Sequence, residues 1–210
     1  MPQPPRTVIR PNTYYHIYNR GVNRRTIFND EDDFQRFIRL IKKYMDPVGR
    51  TLSYALMRDH FHLTVVMNAV NDIPEKLLRT EQALGRTFSH LQNAYAMYFN
   101  HKYKTVSGLF ETSYERIEID SLGYLRNLIV YHHYNPVKHG VTADFRSYWW
   151  TSFQELTDTG MEGIVDVDFT LAKFGGMAGF LAVHDDKRLA MGLELGFVDN
   201  GDRAEDGTGR

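Results

Sequence analysis

Apolar and polar positions along this chain switch between a period of two and a period of about 3.6 residues, and the switches mark out its elements. After a Pro-rich lead, Tyr14-Tyr15-His16-Ile17-Tyr18-Asn19 alternates as a strand and ends at Arg20-Gly21. Asp30 is placed to cap a helix whose first turn holds Glu31, Asp32 and Asp33, acids that complement the positive end of the helix dipole. Phe34, Phe37, Ile38, Ile41 and Tyr44 form its apolar stripe, and Pro47-Val48-Gly49 ends it. Two strands follow, 51–57 and 60–67, joined by a turn at Arg58-Asp59. A long helix is expected from after Ile73-Pro74, or from near Thr80, to about Asn100, with Leu84, Phe88, Leu91, Tyr95 and Tyr98 facing the core. Tyr114–Ile119 alternates as a fourth strand, and a helix over about 121–135 is expected to stop at Pro136. The order β-α-β-β-α-β plus a helix predicts an α+β, ferredoxin-like split β-α-β fold, with an antiparallel sheet and packed helices.

Beyond about residue 154 the composition changes. Short helices are expected at 169–174 and 177–184, and a polar, Gly- and Asp-rich tail at 200–210 is expected to be disordered. The predicted organisation is a 1–153 domain, a 154–199 helical extension and that tail. Of 210 residues, 42% are hydrophobic and 13% aromatic, enough for a substantial core. No cysteine is present, which excludes disulfides, thiolate metal sites and cysteine nucleophiles. With no apolar signal core and no membrane-length run, the expectation is a cytoplasmic protein with no membrane partner. The net charge of −1 hides a split: residues 1–153 hold 20 Lys+Arg and 14 Asp+Glu (+6), and residues 154–210 hold 5 and 12 (−7). A basic body of this kind suits a phosphate backbone, although many enzymes also carry acidic tails.

His60-Phe61-His62 is the candidate chemistry. On a strand, positions i and i+2 share a face, so the two imidazoles project together while Phe61 turns into the core. They are either nitrogen ligands for a divalent metal or the half-polar face of a sheet. A second half of such a site is available in Tyr131-His132-His133-Tyr134-Asn135-Pro136. Tyr131 and Asn135 are four apart on one helical face, while His132 and His133 are turned roughly 100° and 200° from Tyr131 and fit a shared site less well. A tyrosine there is also ordinary core material, and Asn135 precedes a proline, which disfavours helical backbone.

Three blocks, in this order, resemble the single-tyrosine HUH transposases of bacterial insertion sequences, and most of all the REP-associated tyrosine transposases. They are Tyr15-His16-Ile17-Tyr18-Asn19-Arg20-Gly21, Met57-Arg58-Asp59-His60-Phe61-His62-Leu63, and Tyr131-His132-His133-Tyr134-Asn135-Pro136-Val137-Lys138-His139-Gly140. The resemblance covers about residues 12–153. It implies a transposase and endonuclease that cuts and rejoins single-stranded or hairpin DNA through a 5′-phosphotyrosine link, with Mg²⁺ or Mn²⁺ as cofactor. By position it makes Tyr131 the nucleophile and His60, His62 and Asn135 the metal ligands. It also leaves open a domesticated relative that binds repeat hairpins without cutting them, and both a monomer and a homodimer. A metallohydrolase of small phosphoesters, using metal-bound water, is a third and weaker reading. Two departures concern substrate binding: Arg58-Asp59 stands where relatives carry Pro-Asn, and Ser113 stands where an Arg is usual. The candidate DNA contacts are Arg20, Arg24 and Arg25, beside Asn23, in the loop after the first strand, with Lys102, Lys104, Lys138 and His139 in later loops. The alternative is a solvated surface, the usual fate of such residues, and the Arg cluster is the stronger candidate for phosphate contact.

Overall fold

The computed structural model describes residues 7–186, apart from residues 81, 107, 112 and 159; the tail expected at 200–210 and the start of the Pro-rich lead lie outside the described residues. A four-stranded antiparallel sheet runs in the order β2-β3-β1-β4, with β1 at Tyr14–Arg20, β2 at Gly49–Met57, β3 at His60–Met67 and β4 at Glu115–Ile119. Helices α1 (Glu31–Met45) and α2 (Ala83–Tyr103) complete the β-α-β-β-α-β core, so the ferredoxin-like plan is the fold observed. The Asp30 side chain accepts from the Asp33 amide, capping α1 as its acidic first turn predicts. Two single turns of 3-10 helix, Val70–Asp72 and Glu75–Leu77, precede α2, which starts later and runs three residues further than the apolar pattern indicates.

The sheet separates two apolar clusters. On one face, Ile17, Phe61, Leu63 and Val65 pack against Phe37 and Ile41 of α1 and Phe88, Leu91 and Tyr95 of α2. The opposite face carries α3 (Leu122–Lys138), whose Leu125, Leu128 and Ile129 pack with Leu52, Val66 and Ile119. A register irregularity between Thr51 and Ser53 leaves Leu52 unpaired in the β2–β3 ladder. This change of phase turns Leu52 towards α3 while Tyr54 stays on the α1/α2 side.

Contrary to the expected stop at Pro136, α3 continues to Lys138. Proline removes the amide that would bond the His132 carbonyl and crowds that carbonyl, and the amides beyond it carry the helix on. The Pro136 carbonyl accepts from the Val141 amide at 2.8 Å, and the His139 amide donates to Asn135 O at 3.0 Å. Asn135 therefore stays helical, fully buried, and a true i+4 neighbour of Tyr131.

The segment after 153 wraps the β2 edge, with Ile164 against the α1/α2 cluster and Phe153, Leu156, Phe174 and Phe180 on the α3 side. It begins within α4 (Phe153–Thr157) and continues through α5 (Val167–Ala172) and α6 (Met177–Asp185). α5 starts two residues earlier than expected because the Asp166 side chain accepts from the Phe169 amide. Residues 150–152 bond along the β2 edge, with Leu56 N donating to Trp150 O at 2.8 Å and Ser152 N to Tyr54 O at 3.1 Å. Glu155, 3% exposed, accepts from the Tyr54 hydroxyl at 2.6 Å and from the amides of Ile164 and Val165. A buried relay joins α6 to α3: His184 contacts His133 at 2.7 Å and His133 contacts the Ser152 hydroxyl at 2.9 Å. Among the described residues no helix is long and apolar enough to cross a membrane.

Candidate active site

β3 sends His60 and His62 to the face covered by α3, while Phe61 turns the other way onto Phe37, with ring centroids 4.8 Å apart. Both imidazoles are buried. α3 crosses above them so that His60 Nε2 lies 3.2 Å from Asn135 Oδ1, and the Tyr131 ring stands perpendicular to His62 with centroids 5.8 Å apart. The structure thus brings His60, His62, Tyr131 and Asn135 together within one chain.

Each strand histidine is held from behind. His60 Nδ1 meets Asp59 Oδ1 at 2.6 Å, and His62 Nδ1 meets His16 Nε2 at 3.0 Å. A proton on Nδ1, donated to these partners, leaves the Nε2 lone pair of each ring for the space in front; ring orientation set from the far nitrogen is a recurrent feature of metal-binding histidines. Burial pushes the Asp59 carboxyl up, but the hydrogen bond and charge of His60 and the charge of Arg20 outweigh it and hold the carboxyl below its usual range. His62 lies well below the ordinary histidine pKa, first through burial and then through the neighbouring histidines. Burial alone brings His16 down to about 3. Neutral rings are the form that binds metal.

The donor set fits a divalent cation on two counts. His62 Nε2 is buried without a hydrogen-bond partner, which folded proteins generally avoid. With Nδ1 of His60 protonated, its Nε2 and Asn135 Oδ1 present two lone pairs to each other, an arrangement that a cation, or a turned amide, resolves.

Reading the α3 wheel from Tyr131 alone places His132 wrongly. The face of α3 on the sheet is centred between Tyr131, His132 and Asn135, and His132 is fully buried with its ring 5.6 Å from that of His62 and 5.3 Å from that of His16. Its Nδ1 lies 2.8 Å from the Ser53 hydroxyl. Burial, then the charge of His16, pushes its pKa well down. His133 turns to the other side, towards Phe153 and His184. His16 and Asp59 are the residues that contact the two strand histidines and that sequence reasoning does not place in the site. The alternation of β1 offered a signal for His16, which shares a face with Tyr18, the register partner of His62. Asp59 was visible as the residue beside the first histidine, but was read as a departure from a pattern rather than as a partner.

The candidate DNA contacts separate. Arg20 ends β1 directly opposite His60, and the 22–25 loop follows, with Asn23 and Arg24 in left-handed backbone (φ 51° and 56°). Gly21 lets this loop close, since a Cβ there would collide with the Arg25 carbonyl, and its amide donates to Asp59 O at 2.8 Å. The Arg25 guanidinium lies 5.4 Å from the Phe99 ring centroid. Lys138 sits over the Tyr131 ring at 5.4 Å, at the edge of the site. Lys104 is exposed in left-handed backbone at the end of α2. Lys102 is committed elsewhere: its ammonium bonds Asp30 at 2.7 Å and the fully buried Asp33 at 2.9 Å, tying α2 to the start of α1. That local neutralisation removes it from the candidate phosphate contacts. A cavity of about 860 Å³, between α1 and the 149–164 segment, does not touch the histidine cluster.

No family model matches the chain, and no curated protein matches it. Among solved structures, a REP-associated tyrosine transposase bound to a REP hairpin aligns with a TM-score of 0.57 over 80% of this chain and 93% of that chain, at 18% identity. That likeness establishes a shared fold. A bacterial tRNA(His) guanylyltransferase-like protein in complex with GTP aligns at a TM-score of 0.42 and 11% identity, over 68% of this chain and 73% of that one; it carries no argument.

Proposed function

We propose that this protein is a metal-dependent tyrosine transposase and endonuclease that cuts and rejoins single-stranded or hairpin DNA through a covalent link to Tyr131. The observation that carries the reading is the convergence, within one chain, of Tyr131 and Asn135 on the paired His60 and His62. The fold shared with a transposase holding a DNA hairpin supports the substrate class.

A phenol is a weak nucleophile near neutrality, because its pKa is about 10. The Lys138 ammonium lies 5.4 Å from the Tyr131 ring centroid, a cation beside the charge that develops during attack. Tyr131 Oη attacks the phosphorus, the bond from phosphorus to the 3′ oxygen breaks, and that oxygen takes up a proton as a free 3′-hydroxyl. The DNA is left as a 5′-phosphotyrosine, and attack by a 3′-hydroxyl in the reverse direction rejoins a strand without ATP. His60, His62 and Asn135 would hold the Mg²⁺ or Mn²⁺ ion, which when bound polarises the scissile phosphate and stabilises charge on its oxygens. Asp59 and His16 fix the ligand rings, and Arg20, Arg24, Arg25 and Lys104 are the cations we assign to the DNA backbone. The site needs no partner subunit, whether the protein is a monomer or a homodimer. The proposed activity on DNA supports a location in the cytoplasm, at the nucleoid.

One observation favours the second reading, hairpin binding without cleavage: Tyr131 is only 4% exposed and must be uncovered before it can reach a phosphate. The two readings part in a single assay. Purified protein with Mn²⁺ and a single-stranded DNA hairpin with flanking sequence should give a nicked strand and a protein–DNA adduct that survives denaturation, and Tyr131→Phe should bind the hairpin but form neither. An adduct formed by Tyr131→Phe removes Tyr131 as nucleophile; tight hairpin binding with no adduct from the wild type selects the binding module.

A further inference from the structure

We infer that His16, His62 and His132 form a second metal site, selective for zinc-class ions, that competes with the proposed catalytic ion for His62. The three residues come from three separate elements, β1, β3 and α3, and each is at most 5% exposed. One ring nitrogen of each lies within 4.8 Å of the other two. Each ring also keeps one buried nitrogen with no hydrogen-bond partner: Nδ1 of His16, Nε2 of His62 and Nε2 of His132. His132 Nε2, whose ring is held from its other nitrogen by Ser53, is the one of these that the triad would use, and leaving it dry is unfavourable unless something binds there.

The chemistry of the donors selects the ion. Three imidazoles with no carboxylate suit Zn²⁺, Co²⁺ or Ni²⁺, whereas Mg²⁺ prefers oxygen ligands and keeps its waters. His16 Nε2 and His62 Nδ1 are 3.0 Å apart, close to the roughly 3.3 Å between two nitrogens on a tetrahedral zinc with bonds of about 2.0–2.1 Å. The Ser53 hydroxyl on His132 Nδ1 supplies the outer contact that orients a ligand ring. Three protein ligands leave the fourth tetrahedral position for water.

Competition follows from His62, and this part rests on the function proposed above. A neutral imidazole has one lone pair, with its other nitrogen protonated. Whichever nitrogen of His62 serves the triad, the ring cannot also serve the His60–Asn135 cleft without losing that proton. Zinc in the triad therefore switches the proposed catalytic site off.

The test uses the full chain and Co²⁺ as a spectroscopic probe. Co²⁺ should give the strong visible absorption of a tetrahedral ion at one equivalent. His16→Gln and His132→Gln should weaken that binding at least tenfold, while His60→Ala and Asn135→Ala retain it. Loss of the spectrum in His60→Ala and Asn135→Ala, with His16→Gln unaffected, overturns the triad and leaves the proposed function standing. Because these side chains are buried, X-ray absorption on the wild-type zinc form gives an answer without substitution. Three imidazoles in the first shell support the site, and two or fewer overturn it. In the nicking assay, zinc should raise the Mn²⁺ requirement at least tenfold. A protein that binds cobalt through the triad yet never nicks refutes the proposed function, not the site.

Discussion

Lowering the pH from 7.0 to 5.5 should lower the stability of the metal-free protein by at least about 2.5 kcal/mol. Five histidines, His16, His62, His132, His133 and His184, are buried and have pKa values pushed down, chiefly by desolvation. His16 falls to about 3 and His184 to about 4, so both remain neutral in the folded chain at pH 5.5. Their unfolded-state pKa is about 6.5. The unfolded chain therefore binds more protons as pH drops below that value, and stability falls with pH until the folded-state pKa values are reached. For His16 and His184 the loss between pH 7.0 and 5.5 is about 1.3 kcal/mol each, and His62, His132 and His133 add to it in the same direction. A domain of this size has on the order of 5–15 kcal/mol in all. Urea unfolding followed by the fluorescence of Trp149 and Trp150 at several pH values measures the effect, with the urea dependence checked for constancy. A stability that changes by less than about 1 kcal/mol over this interval would refute the burial of these rings as neutral groups.

Three further outcomes follow from named contacts. Lys102→Ala should lower stability by roughly 2–4 kcal/mol, because the buried Asp33 loses its cation, yet leave hairpin affinity within twofold; chemical denaturation and a DNA-binding titration separate the two. Asp59→Ala should weaken metal binding in the His60–His62–Asn135 cleft by about 10–100-fold through loss of the contact to His60 Nδ1, read by calorimetry with Mn²⁺. Replacing Arg24 and Arg25 by Ala should weaken hairpin binding and reduce the salt slope of log K by about one unit each, and an unchanged slope would remove them from the backbone contacts.

What could be read in advance depended on how local its physics is. The capping of α1 by Asp30, the two-residue turn at Arg58-Asp59 and the shared face of His60 and His62 follow from neighbours within a few residues. α3 ends beyond its proline because what closes the helix is the later Val141 amide on the Pro136 carbonyl, a contact outside the helical pattern. His16 and His132 join His62 only through the β1–β3 register and the docking of α3 on β2, where Ser53 meets His132. Lys102 looked like a free cation because its carboxylates lie some seventy residues earlier in the chain. Tyr131 and Asn135 were legible as a pair, since helical spacing alone aligns them, but that they face the histidines of their own chain is a tertiary fact.

The central claim is that Tyr131 is the residue that becomes bonded to DNA. The most direct measurement is mass spectrometry of the proteolysed adduct formed by wild-type protein with Mn²⁺ and a hairpin substrate. We predict a nucleotide remnant joined through a 5′-phosphate to the Tyr131 hydroxyl. A remnant on any other residue, or nicked DNA with a 5′-phosphate and no protein attached, would contradict the account.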